Sequence, residues 1–354
     1  MATYTKLNQQ DIQSLADNYD LKIIEFSPLD GGNGNSSYIL KTQQASYVLT
    51  VCDEKEVDEV FKMGHLLLLL EAHNVPCNRL ISPVKSEILT TFLTVDGVKP
   101  VMVKGYIEGQ VVEQLDETML SQVGRQAAKL NQIPPPDYLP TYHPYGRQLF
   151  SRVVGLKIDA KYESWLAKEI EYLELHIVDN LPRGLIHGDL FYDNLLFDPL
   201  SGMPGGFKAI IDFEEACHYH LIFELGMGIL GICVNDIRVD LVKARALVNG
   251  YQQVRPLAQI EKESLQLFVR YAAVATSYWR FNKYNIEEPS EDRAGHHWQM
   301  VQIAKGVAEI STTRFFDRPS CSAVRNLSVA RLRQASRRPG NVHWRCCPSR
   351  PPHQ

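Results

Sequence analysis

Short apolar runs separated by polar turns fill the first hundred residues, and apolar positions at three-four spacing dominate the rest. After a short helix expected over 8–19, Leu21-Lys22-Ile23-Ile24-Glu25-Phe26 starts a sheet. A loop through Asp30-Gly31-Gly32-Asn33-Gly34-Asn35-Ser36 joins the first strand to a second, a third is read at Tyr47-Val48-Leu49-Thr50-Val51, and others lie over 87–94 and 99–107. Val57, Val60, Phe61, Gly64, Leu67 and Leu68 recur as one helix face. From there on the pattern is helical: Leu120, Val123, Ala127 and Leu130 mark a helix that stops before Pro134-Pro135-Pro136, and Leu166, Ile170, Leu173 and Ile177 mark another. Segments 223–234, 239–254 and 259–286 read as three more. Strands first and helices afterwards predict an α+β chain of two lobes. The first, over 1–105, is a small antiparallel sheet with one main helix; the second, over 106–311, is mainly helical.

Beyond residue 311 the pattern stops. Residues 312–354 hold nine Arg, no Lys, five Pro and three Cys without apolar periodicity, which predicts a basic tail outside the folded lobes. The 354 residues suffice for two lobes with their own cores, and 45% hydrophobic with 22% charged residues is ordinary globular composition. A net charge of −4 argues against a nucleic-acid partner, and the longest apolar run, Leu66 to Leu70, is far too short for a membrane span. No signal-peptide design opens the chain, and the seven cysteines form no metal-ligand pattern, so a reduced cytoplasmic compartment is expected. Cys217-His218-Tyr219-His220 and His296-His297 lack zinc-ligand spacing and are expected to be loop or pocket residues.

The candidate chemistry is concentrated in Leu185-Ile186-His187-Gly188-Asp189-Leu190-Phe191-Tyr192-Asp193-Asn194-Leu195-Leu196-Phe197, followed by Ala209-Ile210-Ile211-Asp212-Phe213. Gly, Asp and Asn also make ordinary turns. Yet His-x-Asp-x-x-x-x-Asn between strand-like runs, with an Asp-Phe pair at loop distance, is the catalytic-loop and metal-loop arrangement of protein-kinase-like phosphotransferases. Asp189 would then accept the proton of an attacking hydroxyl, Asn194 and Asp212 would offer hard oxygen ligands to Mg²⁺, and His187 would hold the loop by hydrogen bonds. The Gly32-Asn33-Gly34-Asn35-Ser36 turn is either a plain hairpin or a cover for nucleotide phosphates; its position upstream of the catalytic loop favours the cover. The strand carrying Lys104 and ending Tyr106-Ile107-Glu108-Gly109 would form the hinge that receives an adenine ring. Of Glu54, Glu56 and Glu59, two are expected merely to complement the helix dipole.

These stretches resemble the aminoglycoside phosphotransferase and choline kinase superfamily over about residues 10–305. Asn35-Ser36-Ser37-Tyr38, Tyr47-Val48-Leu49-Thr50-Val51, Gly250-Tyr251-Gln252-Gln253-Val254-Arg255-Pro256-Leu257 and Arg270-Tyr271-Ala272-Ala273 are similar to one branch, the bacterial type II homoserine kinases. The resemblance implies a kinase using ATP and Mg²⁺, with L-homoserine phosphorylated on its hydroxyl for threonine biosynthesis, in a monomer or homodimer. That branch commonly carries Thr where protein kinases place a phosphate-binding Lys, as here at Thr50, so the charge must come from the metal, loop amides or another base such as Lys55. Arg270 or Arg280 could clamp the acceptor's carboxylate, and Glu215, Glu224 or Asp236 could meet its ammonium. Rival expectations are another small hydroxyl compound (an aminoglycoside, choline or hydroxylysine) or a kinase fold that only binds.

Overall fold

Alternation of side chains builds the first sheet. The computed structural model describes residues 5–29, 35–198 and 206–317. Helix α1 (Gln9–Asp17), capped by the Asn8 side chain, precedes strands β1 (Glu25–Leu29), β2 (Asn35–Lys41) and β3 (Ser46–Cys52). Helix α2 (Val57–Ala72) and strands β4 (Leu80–Ile81), β5 (Thr90–Thr94) and β6 (Gly97–Gly105) follow. All pairings are antiparallel, in the order β1-β2-β3-β6-β4, with β5 also on β6. Tyr38, Leu40, Leu49, Val51, Val101 and Val103 bury one face of the sheet against Ile12 and Leu15 of α1. The register sets Asn35 opposite Cys52, Ser37 opposite Thr50, Thr50 opposite Met102, and Val48 opposite Lys104. These residues share the other face, whose Cys52 and Met102 join Val60 and Leu67 of α2 in the larger core.

The rest is helical, with short hairpins between. Helices α3 (Glu117–Leu130) and α4 (Ala160–His176) lead to strands β7 (Arg183–Ile186), β8 (Leu195–Phe197), β9 (Phe207–Ile210) and β10 (Cys217–His220). Helix α5 (Leu221–Ile232), the small hairpin β11 (Val234–Asn235) and β12 (Arg238–Val239), and helices α6 (Leu241–Gln252), α7 (Gln259–Asn282) and α8 (His297–Ala308) complete it. Apolar on nearly every side, α5 is buried, packing against α7, which in turn packs against α8.

Several expected boundaries move. The first strand begins at Glu25: Ile24 N–H still donates to the Lys41 carbonyl of β2 at 2.9 Å, but Leu21 to Ile23 make no such bond. Of the stretches expected to be loop or pocket, Cys217–His220 is a strand paired with β7, and no group of three or more His, Cys, Asp or Glu side chains placed to hold a metal occurs among the described residues. The expected tail begins too early: Thr312–Phe315 forms a 3₁₀ turn with Phe315 fully buried, and the described residues up to Phe316 pack as one unit. The remainder of that tail, from 318, lies outside the described residues.

Helices α3 and α6 approach closely enough that only glycine fits between them. A Cβ on Gly124 would stand 2.1 Å from the Leu247 carbonyl oxygen, and one on Gly250 would stand 2.2 Å from the Ser121 oxygen. On an open helix surface Gly→Ala stabilises by about 1 kcal/mol. Here Gly124→Ala is expected to destabilise by about 1–3 kcal/mol in urea unfolding, since backbone must shift to admit the methyl group. A stabilised variant would show that this contact yields easily.

Candidate active site

Strand β7 ends at Ile186 and delivers His187, Gly188 and Asp189 into a loop fastened from three sides. The Glu224 carboxylate of α5 accepts the N–H of His187 and of Gly188, each at 3.0 Å. The His187 ring accepts the Asp189 N–H at Nδ1 (3.2 Å), which leaves Nε2–H to donate to the Ile211 carbonyl (3.0 Å). His143 Nε2 donates to the Gly188 carbonyl at 2.9 Å. Gly188 itself has φ +84°, and a Cβ there would lie 2.7 Å from the Glu215 carbonyl, so both the turn and the close approach require glycine. The β8–β9 hairpin then carries the chain back: Ile211 N–H donates to the Asn194 carbonyl at 3.0 Å, setting Asp212 beside Asn194. Asp212 holds a left-handed φ of 63°, a conformation seldom taken by non-glycine residues and concentrated at functional loops.

The Asp189 carboxylate is bound at both oxygens. Tyr145 O–H donates to Oδ1 at 2.9 Å and Asn194 Nδ2 to Oδ2 at 3.0 Å. Burial pushes Asp189 up to about 6; the Asp212 and Asp193 carboxylates add to the rise, while the Tyr145 and Asn194 hydrogen bonds oppose it. Burial and the Asp189 charge hold the Tyr145 phenol well above its ordinary value, so it remains a donor. Glu215, which follows the Asp212 loop, is pushed up to about 8 by burial first and by Asp189 next. Lys55 pairs with Glu214 at 2.9 Å; burial works against its ammonium, but Glu214 and then Glu215 leave it above its ordinary value. Four carboxylates, those of Asp189, Asp212, Glu214 and Glu215, are thus gathered where Lys55 reaches in from the loop before α2.

On the expected nucleotide side the residues separate. Gly32, Asn33 and Gly34 lie outside the described residues. Asn35 is on the sheet face shared with Thr50, and its Nδ2 donates to Glu214 Oε1 at 2.8 Å. Ser36 falls on the opposite face, where its hydroxyl donates to Asp53; strand alternation removes its side chain from the phosphate loop. Lys104 shares the face of Thr50 and has no acidic partner among the described residues. Tyr106 cannot give its amide to a ring, since that N–H already donates to the Ser46 carbonyl at 3.0 Å. Ile107 and Glu108, by contrast, have N–H groups without partners among the described residues.

Most of the expected acceptor contacts are corrected. Arg270 forms a bidentate pair with Glu169, both contacts at 2.9 Å, and lies over the Tyr172 ring. A guanidinium so engaged is not available to clamp a ligand. Arg280 donates to the His296 carbonyl and to Gln299 Oε1, and Asp236 is an exposed turn residue of the β11–β12 hairpin with φ 58°. Glu224 is spent on the loop amides. Glu215 is therefore the expected acceptor residue that stands by Asp189. Tyr145 and His143 were not expected at all; their partners lie 44 and 45 residues away, and His143-Pro144-Tyr145-Gly146 carries no local mark of the contact.

Residues 25–257 match the phosphotransferase enzyme family. The chain belongs to this family. It is similar to a homoserine kinase of Paramagnetospirillum magneticum, with 28% identity over 289 residues, 77% of this chain and 86% of the relative. Among solved structures, an amicoumacin kinase in complex with AMP-PNP, Ca²⁺ and Ami superposes with a TM-score of 0.68 at 12% identity, covering 86% of this chain and 96% of that one. A microcompartment-associated aminopropanol kinase gives 0.62 at 17% identity, covering 88% and 99%. The fold is the expected kinase-like one, and this phosphotransferase is an ATP-dependent kinase acting on a hydroxyl. Among the described residues no helix is long and apolar enough to cross a membrane.

The position of Glu215 has a consequence for stability. An ordinary glutamate titrates near 4.5 and the folded Glu215 at about 8, so between these values the folded chain binds the extra proton and rising pH erodes stability. In urea unfolding without metal or nucleotide, the wild type is expected to lose stability relative to Glu215→Gln between about pH 5 and 8. The expected slope is below about 1.4 kcal/mol per pH unit, because the carboxyl is only partly withdrawn from solvent. A difference that stays constant over this range would remove the raised titration.

Proposed function

We propose that this phosphotransferase transfers the γ-phosphoryl group of Mg²⁺-bound ATP to the hydroxyl of L-homoserine. The observation that carries the substrate class is the Glu215 carboxyl beside Asp189: a partly buried acid, pushed up by burial and by the Asp189 charge although Lys55 opposes the rise, would be matched by an ammonium on the acceptor. The homoserine kinase relatives support the particular amino acid.

The donor set fits a hard divalent cation. Asn194 spends its amide nitrogen on Asp189, which leaves its oxygen as donor, and the Asp212 carboxylate accepts no hydrogen bond from a described residue. Mg²⁺ bound with nucleotide usually takes one or two protein oxygens and fills its shell with phosphates and water, and Asn194 with Asp212 suffice for that. When bound, Mg²⁺ neutralises phosphate charge as it develops. Asp189 accepts the acceptor's hydroxyl proton. Its value near 6 leaves it ionised at neutral pH yet a better base than an exposed aspartate. Tyr145 and Asn194, one on each oxygen, fix the direction of the carboxylate. His187 and Glu224 fix the loop beneath it. The Ile107 and Glu108 amides are assigned to the nucleotide base. Arg147, two residues after Tyr145 and without an acidic partner among the described residues, replaces Arg270 as our assignment for an acceptor carboxylate.

A coupled ADP-release assay with Mg²⁺-ATP tests the reading against L-homoserine, L-serine, choline, hydroxylysine and kanamycin. Saturable turnover on homoserine is expected; turnover confined to another compound would discard the substrate, and none on any would discard the activity. Asp189→Ala is expected to lower kcat by about 10²–10⁴-fold with nucleotide affinity kept. Wild-type turnover in that variant would remove Asp189 as base. Glu215→Gln is expected to raise the KM for homoserine by about tenfold or more while leaving that for 4-hydroxybutyrate, which lacks the amine, little changed. Equal effects on both would exclude ammonium recognition by Glu215.

A further inference from the structure

Thr50 leaves the third strand without the cation that protein kinases direct at the nucleotide phosphates, and the surrounding geometry indicates where the charge has gone. The Thr50 hydroxyl is buried and sits 3.3 Å from the Ser37 hydroxyl, so the strand itself offers only neutral groups at this point. Lys55 lies on the same chain segment, five residues on, after β3 has ended and before α2 begins. Its Nζ is 2.9 Å from Glu214 Oε2, and the other oxygen of that carboxylate accepts the Asn35 amide at 2.8 Å. One carboxylate thus joins three pieces of the cleft: Asn35 at the end of the glycine-rich turn, Lys55 before α2, and the segment two residues beyond Asp212.

We infer that Lys55 is the phosphate-contacting cation of this kinase, parked on Glu214 until a nucleotide arrives. This rests on the kinase reading of the site and not on the identity of the acceptor. Lys55 and Glu214 are 27% and 26% exposed, and partly exposed ion pairs of this kind are weak enough to be exchanged for a triphosphate, which carries more charge. The competing cation is Lys104, which shares a sheet face with Thr50. It sits opposite Val48 and Leu80, at the hinge end of β6, two residues before Tyr106. Lys55, in contrast, is close enough to Glu215 to favour its charged form, and Glu215 in turn feels Asp189 and Asp212. That places Lys55 at the catalytic end of the cleft, where the β- and γ-phosphates of an in-line transfer must lie; the Lys104 backbone stands towards the end that receives the base, while its ammonium acts on Cys52 as Lys55 does, which makes it the control in the test below.

Binding of ATP, ADP and AMP to the full-length chain, measured by calorimetry in Mg²⁺ and again in EDTA with no acceptor present, tests the assignment. Lys55→Met is expected to weaken ATP by about tenfold or more while changing AMP little, so that the ATP-to-AMP affinity ratio collapses. Lys55→Arg is expected to recover most of that ratio, since it restores the charge. Retained AMP binding certifies the fold of each variant, and Lys55→Gln serves in place of Lys55→Met should the latter bind no nucleotide at all. An unchanged ATP-to-AMP ratio in Lys55→Met would overturn the proposal, as would a collapse that follows Lys104→Met instead. Failure of homoserine as acceptor would leave these ratios as they are, so the two readings fail separately.

Discussion

The site depends on a buried carboxylate that forms no ion pair among the described residues. Glu224 is the charged member of the otherwise apolar buried residues of α5, and its withdrawal from water costs several kcal/mol unless hydrogen bonds replace the lost solvation. The replacement comes from the His187 and Gly188 amides, the two that must be fixed if Asp189 is to have a single direction. Bonds from N–H to an ionised acceptor are roughly twice as strong as neutral ones. The same pair therefore solvates the helix's one charge and locks the loop to the most deeply buried helix of the molecule. Burial still lifts Glu224 above its ordinary value. The interaction is a rigid clamp held under electrostatic cost, and the Asp189 carboxylate inherits its rigidity.

Around that clamp the charge balance is deliberately uneven. Asp189, Asp212, Glu214 and Glu215 repel one another, and Lys55 is paired with one of them. Repulsion and burial act together to raise Asp189 and Glu215, so without ligands the cleft retains protons that a metal or an ammonium would displace. Affinity for cationic ligands is in this sense stored as instability of the empty site, and it couples ligand binding to proton release. A protein optimised only for folding would pair or neutralise these groups, as it does elsewhere with Arg270 and Glu169 or Arg255 and Glu261.

What the sequence disclosed divides along chain distance. His187, Asp189 and Asn194 are legible because a loop that bonds to itself confines its chemistry to a fixed local spacing, and Asp212 follows because the intervening hairpin must return to Asn194. The same locality makes sheet alternation legible after the fact: Asn35 and Ser36 are neighbours at the polar start of β2, yet one faces Glu214 and the other Asp53. Arg270 was misjudged for the opposite reason. Its aromatic, basic helix is a plausible ligand surface until Glu169, 101 positions away, is brought against it. Tyr145 belongs to the same class: nothing within its own loop distinguishes a phenol that fills a core from one that orients a base. Cys217–His220 looked like a loop because its strand is held by pairing to β7 and not by an apolar alternation of its own.

Moving a phosphate cation from a strand to the loop ahead of α2 alters more than its address. A lysine on β3 would be held by the ladder, its direction set by register with β2 and β6. Lys55 is held instead by Glu214, and Glu214 also holds Asn35 beside the glycine-rich turn. If a nucleotide draws Lys55 away as proposed, it would strip one of the two described partners from Glu214 and loosen the tie between the sheet and the Asp212 loop. The freed carboxylate, two residues from Asp212, would add negative charge where we assign the divalent cation. On that proposal, phosphate binding, metal binding and the join between sheet and helices would be coupled through a single side chain. A strand-borne lysine would leave all three independent.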